Sequence, residues 1–452
     1  MRVLGVDMGT TTISIVLADC SSGTILEKRT ISHGAFIQGG APYHKIQDAD
    51  RMVQIVSDTV GEMQSRCGKA QGIGFSGQMH GMLYIDRDGN AVSPLYTWQD
   101  GSGNVPVDGG KTCSQILGES VGAASSGFGL TTHFYLQKTG AIPANAWKMV
   151  TISDYAAMRL TGRKSPLIGR DMAASWGCFD LENGAFRLAA LERAGVDTAF
   201  LPEVTGSHSV AGETAGGCAV LCSLGDNQAS VIGSLDDMNS SVLLNIGTGS
   251  QVSLGCDRFL DLSGSIDLRP CGETGFILVG SGLCGGRAYA MLEKFYETVP
   301  GMEKSDLYAA MQTQAEEFLK THGKNAAWQV RTTFSGTRHN PDERGSIQGI
   351  GIENFTPGAM TVGVMQGILG ELYEEYVEMC RVLNRKAAHL VGSGNGIRRN
   401  PLMRQLAEEM FALPLRVPAH EEEAAFGAAL CAMERIGAVP SLADAQKMIR
   451  YL

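Results

Sequence analysis

Val3-Leu4-Gly5-Val6-Asp7-Met8-Gly9-Thr10 and, far downstream, Val242-Leu243-Leu244-Asn245-Ile246-Gly247-Thr248 are two apolar, β-rich runs that each end in a Gly-Thr turn. Asp7-Met8-Gly9-Thr10 falls on Asn245-Ile246-Gly247-Thr248, and a second strand-like run follows each turn, Ile13–Asp19 in the first instance. Two β-rich runs joined by such a turn read as a hairpin. An internal echo of this kind points to two domains of related build. They would meet near residues 218–224, giving spans of 1–222 and 223–452. A single four-residue match can also arise by chance.

Outward from these hairpins, helical spacing over about Ala49–Gln64 is followed by a buried strand, Gly72–Ser76, that ends in Gly77-Gln78-Met79-His80-Gly81. Asp88-Gly89-Asn90 would turn a further hairpin over Met82–Val92. After the second Gly-Thr turn come a strand at Gly275–Gly280, a glycine turn, and helices at about Arg287–Val299 and Lys304–Lys320. A long helix covers about Met360–Leu383, strand Ala388–Val391 runs into Gly392-Ser393-Gly394-Asn395-Gly396, and helices Pro401–Phe411 and Glu422–Ile436 follow. Strands alternating with helices make the class α/β.

The 452 residues carry a formal net charge of −10, so a broad nucleic-acid surface, which needs clustered Lys and Arg, is not expected. The 58 glycines are spread along the chain and accompany 44% hydrophobic residues, which excludes collagen-like and disordered readings and leaves a protein of many tight turns. MRVLGVDMGTTT reads as a strand rather than a signal peptide, and no apolar run is long enough to span a bilayer. The 11 cysteines include one close pair, Cys218 and Cys222, with no second pair at zinc spacing, which suits reduced thiols in a cytoplasm.

Consecutive backbone N–H groups and threonine hydroxyls in a Gly-Thr turn make a concavity for phosphate oxygens; the plain alternative is an ordinary hairpin turn. Asp7 would repel phosphates unless Mg²⁺ sits between, a water-mediated arrangement. The second turn carries the neutral Asn245, and one acid with one amide is the cheaper pairing around a polyphosphate. Gly280-Ser281-Gly282-Leu283-Cys284-Gly285 matches a dinucleotide-binding fingerprint, but around 300–306 no acid ends a second strand, so tight helix–sheet packing near a nucleotide phosphate stands against a Rossmann site. No Walker A loop occurs. The glycines of 392–396 could lie flat against a purine or ribose, or form a plain strand-to-helix turn. Asp226 precedes a helical stretch, so it is an N-cap or a general base that takes a proton from a substrate hydroxyl. Gln78-Met79-His80 and Trp98-Gln99-Asp100 offer the hydrogen bonds and flat apolar faces that a polyol needs, or are core residues. No G-x-S-x-G nucleophile motif is present.

Asp7-Met8-Gly9-Thr10-Thr11-Thr12 resembles the first phosphate motif of the FGGY carbohydrate kinases, in the sugar kinase/Hsp70/actin superfamily. Gly77-Gln78-Met79-His80-Gly81, Gly225-Asp226-Asn227, Gly247-Thr248-Gly249, Gly392–Gly394 and Glu423-Ala424-Ala425-Phe426-Gly427-Ala428-Ala429 fall in that family's order across essentially the whole chain. The resemblance implies two related actin-like, ribonuclease H-like domains with an ATP and sugar cleft between them, and ATP-dependent phosphorylation of a ketose's terminal hydroxyl. Thr97–Gly101, Ser126–Gly129, Ser153-Asp154-Tyr155 and Ala173–Gly177 look more like the sedoheptulose-phosphorylating members than the xylulose-phosphorylating ones. Ser102 departs from the basic residue that commonly follows Asp-Gly, which leaves the sugar's identity open.

Carried over residue by residue, the resemblance makes Asp226 the catalytic base and Asp7 the organiser of Mg²⁺. Gln78, Met79, His80, Trp98, Asp100, Asp226 and Asn227 would hold the sugar. Thr10, Thr11 and Thr12 in the first turn and Gly247 and Thr248 in the second would hold phosphates. Gly286 would approach the nucleotide phosphates, and Gly394 with Asn395 the adenosine. The expected partner is a small ketose, with neither nucleic acid nor membrane, and a homodimer is allowed. The rivals are an actin/Hsp70-like ATPase module, which would turn over ATP without sugar, and a nicotinamide dehydrogenase.

Overall fold

The Val3–Thr10 run is a strand because it has somewhere to bury both faces: Val3, Leu4, Val6 and Met8 are all sealed from solvent. The structure, a computed structural model, describes residues 1–452 except 123, 263, 299–305, 338–339 and 341. Five helices are referred to below: α1 (Ala49–Cys67), α2 (Asp226–Ser234), α3 (Gly285–Glu297), α4 (Pro357–Leu383) and α5 (Glu423–Arg435). The chain divides into two units. The first is Met1–Asp236 with Arg269–Phe276 and Glu422–Ile449; the second is Asp237–Leu268 with Ile277–Glu421 and Arg450–Leu452.

In the first unit, β1 (Arg2–Met8) and β2 (Thr12–Asp19) form the expected antiparallel hairpin, closing at the pair Met8 and Ile13. The sheet continues on one side with β3 (Ile25–Ser32), whose alternating burial and Glu27, Lys28 and Arg29 mark a charged edge strand. On the other side β1 pairs in parallel with β4 (Gly72–Gly77), and β4 with the short β6 (Ala219–Leu221), beyond which lies β5 (Val210–Glu213); β7 (Leu224–Gly225) also pairs β4. Helix α1 begins where the Asp48 carboxylate accepts the Arg51 N–H, and buries Met52, Val56, Val60 and Met63.

Helix α5 lies directly on this sheet. A Cβ on Gly5 would stand 1.8 Å from the Ala425 carbonyl oxygen, and one on Gly74 1.9 Å from that of Ala428. The same helix packs backbone to backbone on α2, where a Cβ on Gly427 would stand 1.9 Å from the Ala229 carbonyl oxygen. The late Glu423–Ala429 segment therefore belongs to the first unit, and α2 lies in that unit as well. The small side chains of α5 let it dock so closely.

The second unit repeats the frame. Strands β8 (Ser241–Ile246) and β9 (Ser250–Cys256) form the antiparallel hairpin, β10 (Gly275–Gly282) extends it beyond β9, and β8 pairs in parallel with β11 (His389–Ser393), which is followed in the sheet by β12 (Leu415–Arg416). The registers coincide. Asp7 sits beside Ser76 in the first unit, and Asn245 beside Ser393 in the second. A glycine follows each serine, and a Cβ on Gly77 or Gly394 would come 2.9 Å from the Met8 carbonyl oxygen or 2.5 Å from that of Ile246. The echo is thus one of architecture and not a chance match.

Two expectations change in detail. The 82–92 hairpin is reduced to a single bridge between Ile85 and Ala91, and Leu83–Ile85 instead pairs with Lys148–Val150. The second long helix of the later half is Leu307–His322; residues 304–305, at its expected start, and most of the 300–306 stretch searched for a nucleotide-binding acid lie outside the described residues. None of the 11 cysteines forms a disulfide, and nine, including Cys218 and Cys222, are buried. Among the described residues no helix is long and apolar enough to cross a membrane.

Candidate active site

The first Gly-Thr turn is held from three directions. Its Thr10 carbonyl oxygen accepts from His33 Nε2 at 3.0 Å and Gln47 Nε2 at 2.7 Å, both from fully buried side chains. The Thr10 hydroxyl accepts from the Trp98 indole N–H at 2.9 Å. Thr11 is exposed and Thr12 opens β2. Gln47 also accepts from the Gln78 amide at 2.9 Å, so the turn, Gln78 and Trp98 form one connected set.

His80, just past the end of β4, adopts φ 73°, a left-handed conformation that costs a non-glycine residue energy. Ser175 holds it there: the His80 N–H donates to Ser175 Oγ at 3.1 Å, and Nδ1 donates to the Ser175 carbonyl oxygen at 2.6 Å. The imidazole stacks on Phe128 at 4.5 Å and 3°. Because a carbonyl only accepts, Nδ1 carries a proton. Met79 is buried beside Gly225, where a Cβ would meet its sulfur at 2.8 Å. Trp98 is 47% exposed, whereas Asp100 is buried and accepts from His44 Nδ1 at 2.9 Å and from the N–H groups of Lys45 and Ser102. Asp100 therefore fixes the loop that presents Trp98.

Asp226 is not the cap of α2: Gly225 takes that place, with no side-chain cap bond, and Asp226 is the first helical residue. Its carboxylate accepts from the Asn227 N–H at 2.8 Å. Burial pushes the Asp226 carboxyl above the usual range, opposed by the Asn227 hydrogen bond and the positive charge of Arg269. Arg269 in turn donates to Asn227 Oδ1 at 3.2 Å. Asp7 accepts from Ser76 Oγ at 2.5 Å, yet burial drives it up to about 7, with the charges of Asp226 and Glu422 adding to the rise. Glu422 accepts from the Thr30 hydroxyl at 2.7 Å. Buried carboxyl groups whose proton affinity is raised in this way suit proton transfer and cation binding.

In the second unit three glycine turns converge. The Gly286 N–H donates to the Gly247 carbonyl oxygen at 2.9 Å and the Arg287 N–H to that of Thr248 at 3.0 Å, so the start of α3 is docked on the second Gly-Thr turn. A Cβ on Gly286 would stand 2.2 Å from the Gly247 oxygen. Gly394, at φ 78°, brings the third turn against Ile246 and to 2.8 Å of Asn245 Oδ1, counted from its missing Cβ, while Asn395 and Thr248 are exposed. The G-x-G-x-x-G stretch does join a strand to a helix, but the next strand along the chain, Gln329–Arg331, pairs with Ser346–Gln348 in a separate ladder. Among the described residues the parallel βαβ unit of a dinucleotide site is therefore not formed here.

Each unit thus gathers its own share of the expected residues. Sequence reading missed Ser76, Gln47, His33, Ser175, Arg269 and Glu422. Ser76 was accessible through its Ser-Gly echo with Ser393-Gly394. Arg269 lies in a segment with no motif, and only the fold brings it to Asn227.

Two family models match the chain: the FGGY family of carbohydrate kinases, N-terminal domain, over residues 2–243, and the C-terminal domain of the same family over residues 270–434. Sedoheptulokinase from Mus musculus is 27% identical, with 96% of this chain and 97% of the relative covered. Xylulose kinase from Staphylococcus xylosus is 23% identical, with 95% and 90% covered. Among solved structures, xylulose kinase from Rhodospirillum rubrum aligns with a TM-score of 0.86 at 17% identity, covering 100% of this chain and 93% of that one. The likeness is one of fold, that of two related actin-like, ribonuclease H-like domains.

Proposed function

The chain belongs to the FGGY family of carbohydrate kinases, and within it we propose that this enzyme transfers the γ-phosphoryl group of ATP to the terminal hydroxyl of a ketose, sedoheptulose before D-xylulose. The observation that carries this reading is the Trp98 indole N–H on the Thr10 hydroxyl, which ties the aromatic wall of a polyol cluster to a phosphate-type turn in one unit. The heptose is put first on the segments Thr97–Gly101, Ser153–Tyr155 and Ala173–Gly177 and on the relatives' names. A cytoplasmic location is proposed on 11 cysteines that form no disulfide.

In this reading Gln78, Met79, His80, Trp98, Asp100 and Asn227 shape the sugar site, with Trp98 as a flat wall and His80 Nε2 accepting from a sugar hydroxyl. Asp226 takes the proton of the terminal hydroxyl as its oxygen attacks phosphorus. Its raised pKa brings it closer to working pH, where a base is most effective. Thr10, Thr11 and Thr12 hold phosphate oxygens from the first turn, and Gly247 and Thr248 from the second. Gly286 clears room for the chain to approach the nucleotide phosphates, and Gly394 and Asn395 meet adenosine. Catalysis rests mainly on positioning and charge stabilisation.

Asp7 would hold Mg²⁺ through water. The donor set fits: its carboxyl stands at about 7 through burial and the neighbouring acids, a strain that a divalent cation relieves. A single carboxylate suffices for an ion that keeps several waters and takes phosphate oxygens. Bound there, Mg²⁺ supplies neutralisation of phosphate charge.

A coupled assay of ADP release over C5–C7 ketoses and polyols tests the reading. The highest kcat/KM is expected on sedoheptulose. A clear preference for xylulose sinks the heptose assignment, and equal ATP turnover without any sugar sinks the kinase reading in favour of an ATPase module.

A further inference from the structure

Arg269 lies on the strand Asp267–Cys271 and belongs to the first unit. Its Nη1 is 3.2 Å from Asn227 Oδ1 and 4.0 Å from Met79 Sδ, and its charge acts on the Asp226 carboxyl. One guanidinium therefore contacts two members of the proposed sugar-binding set, drawn from two other segments of the chain, and lies near enough to a third, Asp226, for its charge to act there.

The polar groups that the sequence itself offers to a sugar are largely committed inside the protein. The Gln78 amide donates to Gln47, the Trp98 N–H to Thr10, and the Asp100 carboxylate accepts from His44, Lys45 and Ser102. A polyhydroxylated ligand, which presents an acceptor at every oxygen, needs donors from elsewhere. A guanidinium has five N–H donors fixed in a plane and no acceptor, so it reads oxygen positions without competing for the hydroxyl protons. The Asn227 and Met79 contacts set its plane.

We propose that Arg269 is a sugar-recognition residue, donating a hydrogen bond to a ketose oxygen next to the hydroxyl that Asp226 serves. The inference rests on the ketose kinase reading above. Arg269 stands outside every motif that pointed to that reading, so it adds a specificity determinant from a different stretch of the chain.

The test compares R269M, R269Q and R269K with the wild-type enzyme on whichever ketose of the C5–C7 panel is turned over best. R269M is expected to raise the ketose KM by about 10- to 100-fold, the worth of one charged hydrogen bond. The ATP KM should stay within about twofold and kcat within about threefold. R269K, which keeps the charge, should recover part of the loss; if R269M does not fold, R269Q is held to the same numbers as R269M. An unchanged ketose KM overturns the proposal. So does a loss confined to kcat, which would assign Arg269 to the Asp226 charge alone, or a parallel rise in both KM values, which would mean general damage. A wild-type preference for xylulose removes the heptose reading and leaves this comparison intact; a wild-type enzyme inactive on every ketose removes both.

Discussion

Gly286→Ala is the perturbation whose size follows most directly from the coordinates. A Cβ at this position would stand 2.2 Å from the Gly247 carbonyl oxygen, where a Cβ is essentially never found within 3.0 Å of another heavy atom. The start of α3 must therefore withdraw from the second Gly-Thr turn by about 0.8 Å, the difference of those distances. Two hydrogen bonds bridge that junction, from the Gly286 N–H at 2.9 Å and the Arg287 N–H at 3.0 Å. Lengthened by the same amount they reach about 3.7 and 3.8 Å, past the 2.7–3.2 Å in which such bonds hold.

Losing both removes about 1–3 kcal/mol of support from the turn. If Gly247 and Thr248 hold ATP phosphates, that loss appears as a rise of about 5- to 150-fold in the ATP KM. The ketose KM should move less than threefold, because every residue assigned to the sugar lies in the other unit. Initial rates at varied ATP and saturating ketose give the first number, and calorimetric titration with ADP checks that it reflects binding. An ATP KM within twofold of wild type refutes the reasoning. A matching rise in both KM values refutes the assignment of the turn to the nucleotide.

Asp226→Asn should cut kcat by about 10²- to 10⁴-fold, the usual worth of a general base, while leaving ADP affinity within a few fold; retained turnover places the proton acceptor elsewhere. Asp7 holds its proton more tightly folded, at about 7, than an ordinary aspartate, at 3.8. Its contribution is therefore a destabilisation that is absent below about pH 4, grows as pH rises through 7, and is then complete. Metal-free Asp7→Asn, which cannot ionise and can still accept from Ser76, should gain up to about 2 kcal/mol on wild type between pH 5 and pH 8, after a discount for the partial exposure of Asp7. Parallel melting curves for the two proteins across that range would show the charge to be harmless. Gly427→Ala must part α5 from α2, since its Cβ would lie 1.9 Å from the Ala229 oxygen. A loss of at least about 2 kcal/mol is expected in thermal unfolding; an unchanged melting temperature would mean the helix pair shifts without cost.

What could be read from the sequence was whatever repeats or is local. The hairpins at Asp7 and Asn245, the strand into Gly77-Gln78-Met79-His80, and the helix at Glu423–Arg435 all carry their signal in neighbouring residues. The unit to which that last helix belongs did not, because Ala425, Ala428 and Gly427 are small for the sake of a sheet and a helix far away in the chain. Asp226 was read as a cap or a base, and the difference lay in one residue of register: Gly225 takes the cap. Ser175 and Phe128 sat inside segments recognised for their family likeness, yet nothing in those segments says that they hold His80 in a left-handed backbone.

The doubled frame also explains where chemistry was placed. Asp7 with Ser76 and Asn245 with Ser393 occupy the same register on the same pair of parallel strands, each followed by a glycine against the carbonyl of the next hairpin residue. The frame is equal, and the charge is not. In the first unit the serine hydroxyl donates to a carboxylate, and two further acids, Asp226 and Glu422, raise that carboxylate's proton affinity. A second carboxylate at Asn245 would repeat that repulsion wherever the same polyphosphate is bound. The amide avoids it. Asn245 Oδ1 stands close enough to Gly394 that the third glycine turn closes on a neutral group, and the Ser393 hydroxyl, which has no carboxylate to serve, is left without a protein partner. The two cradles share a frame and differ in charge, and under the proposed reading the one with the acid serves cation and proton chemistry and the one with the amide serves backbone contact with a nucleotide.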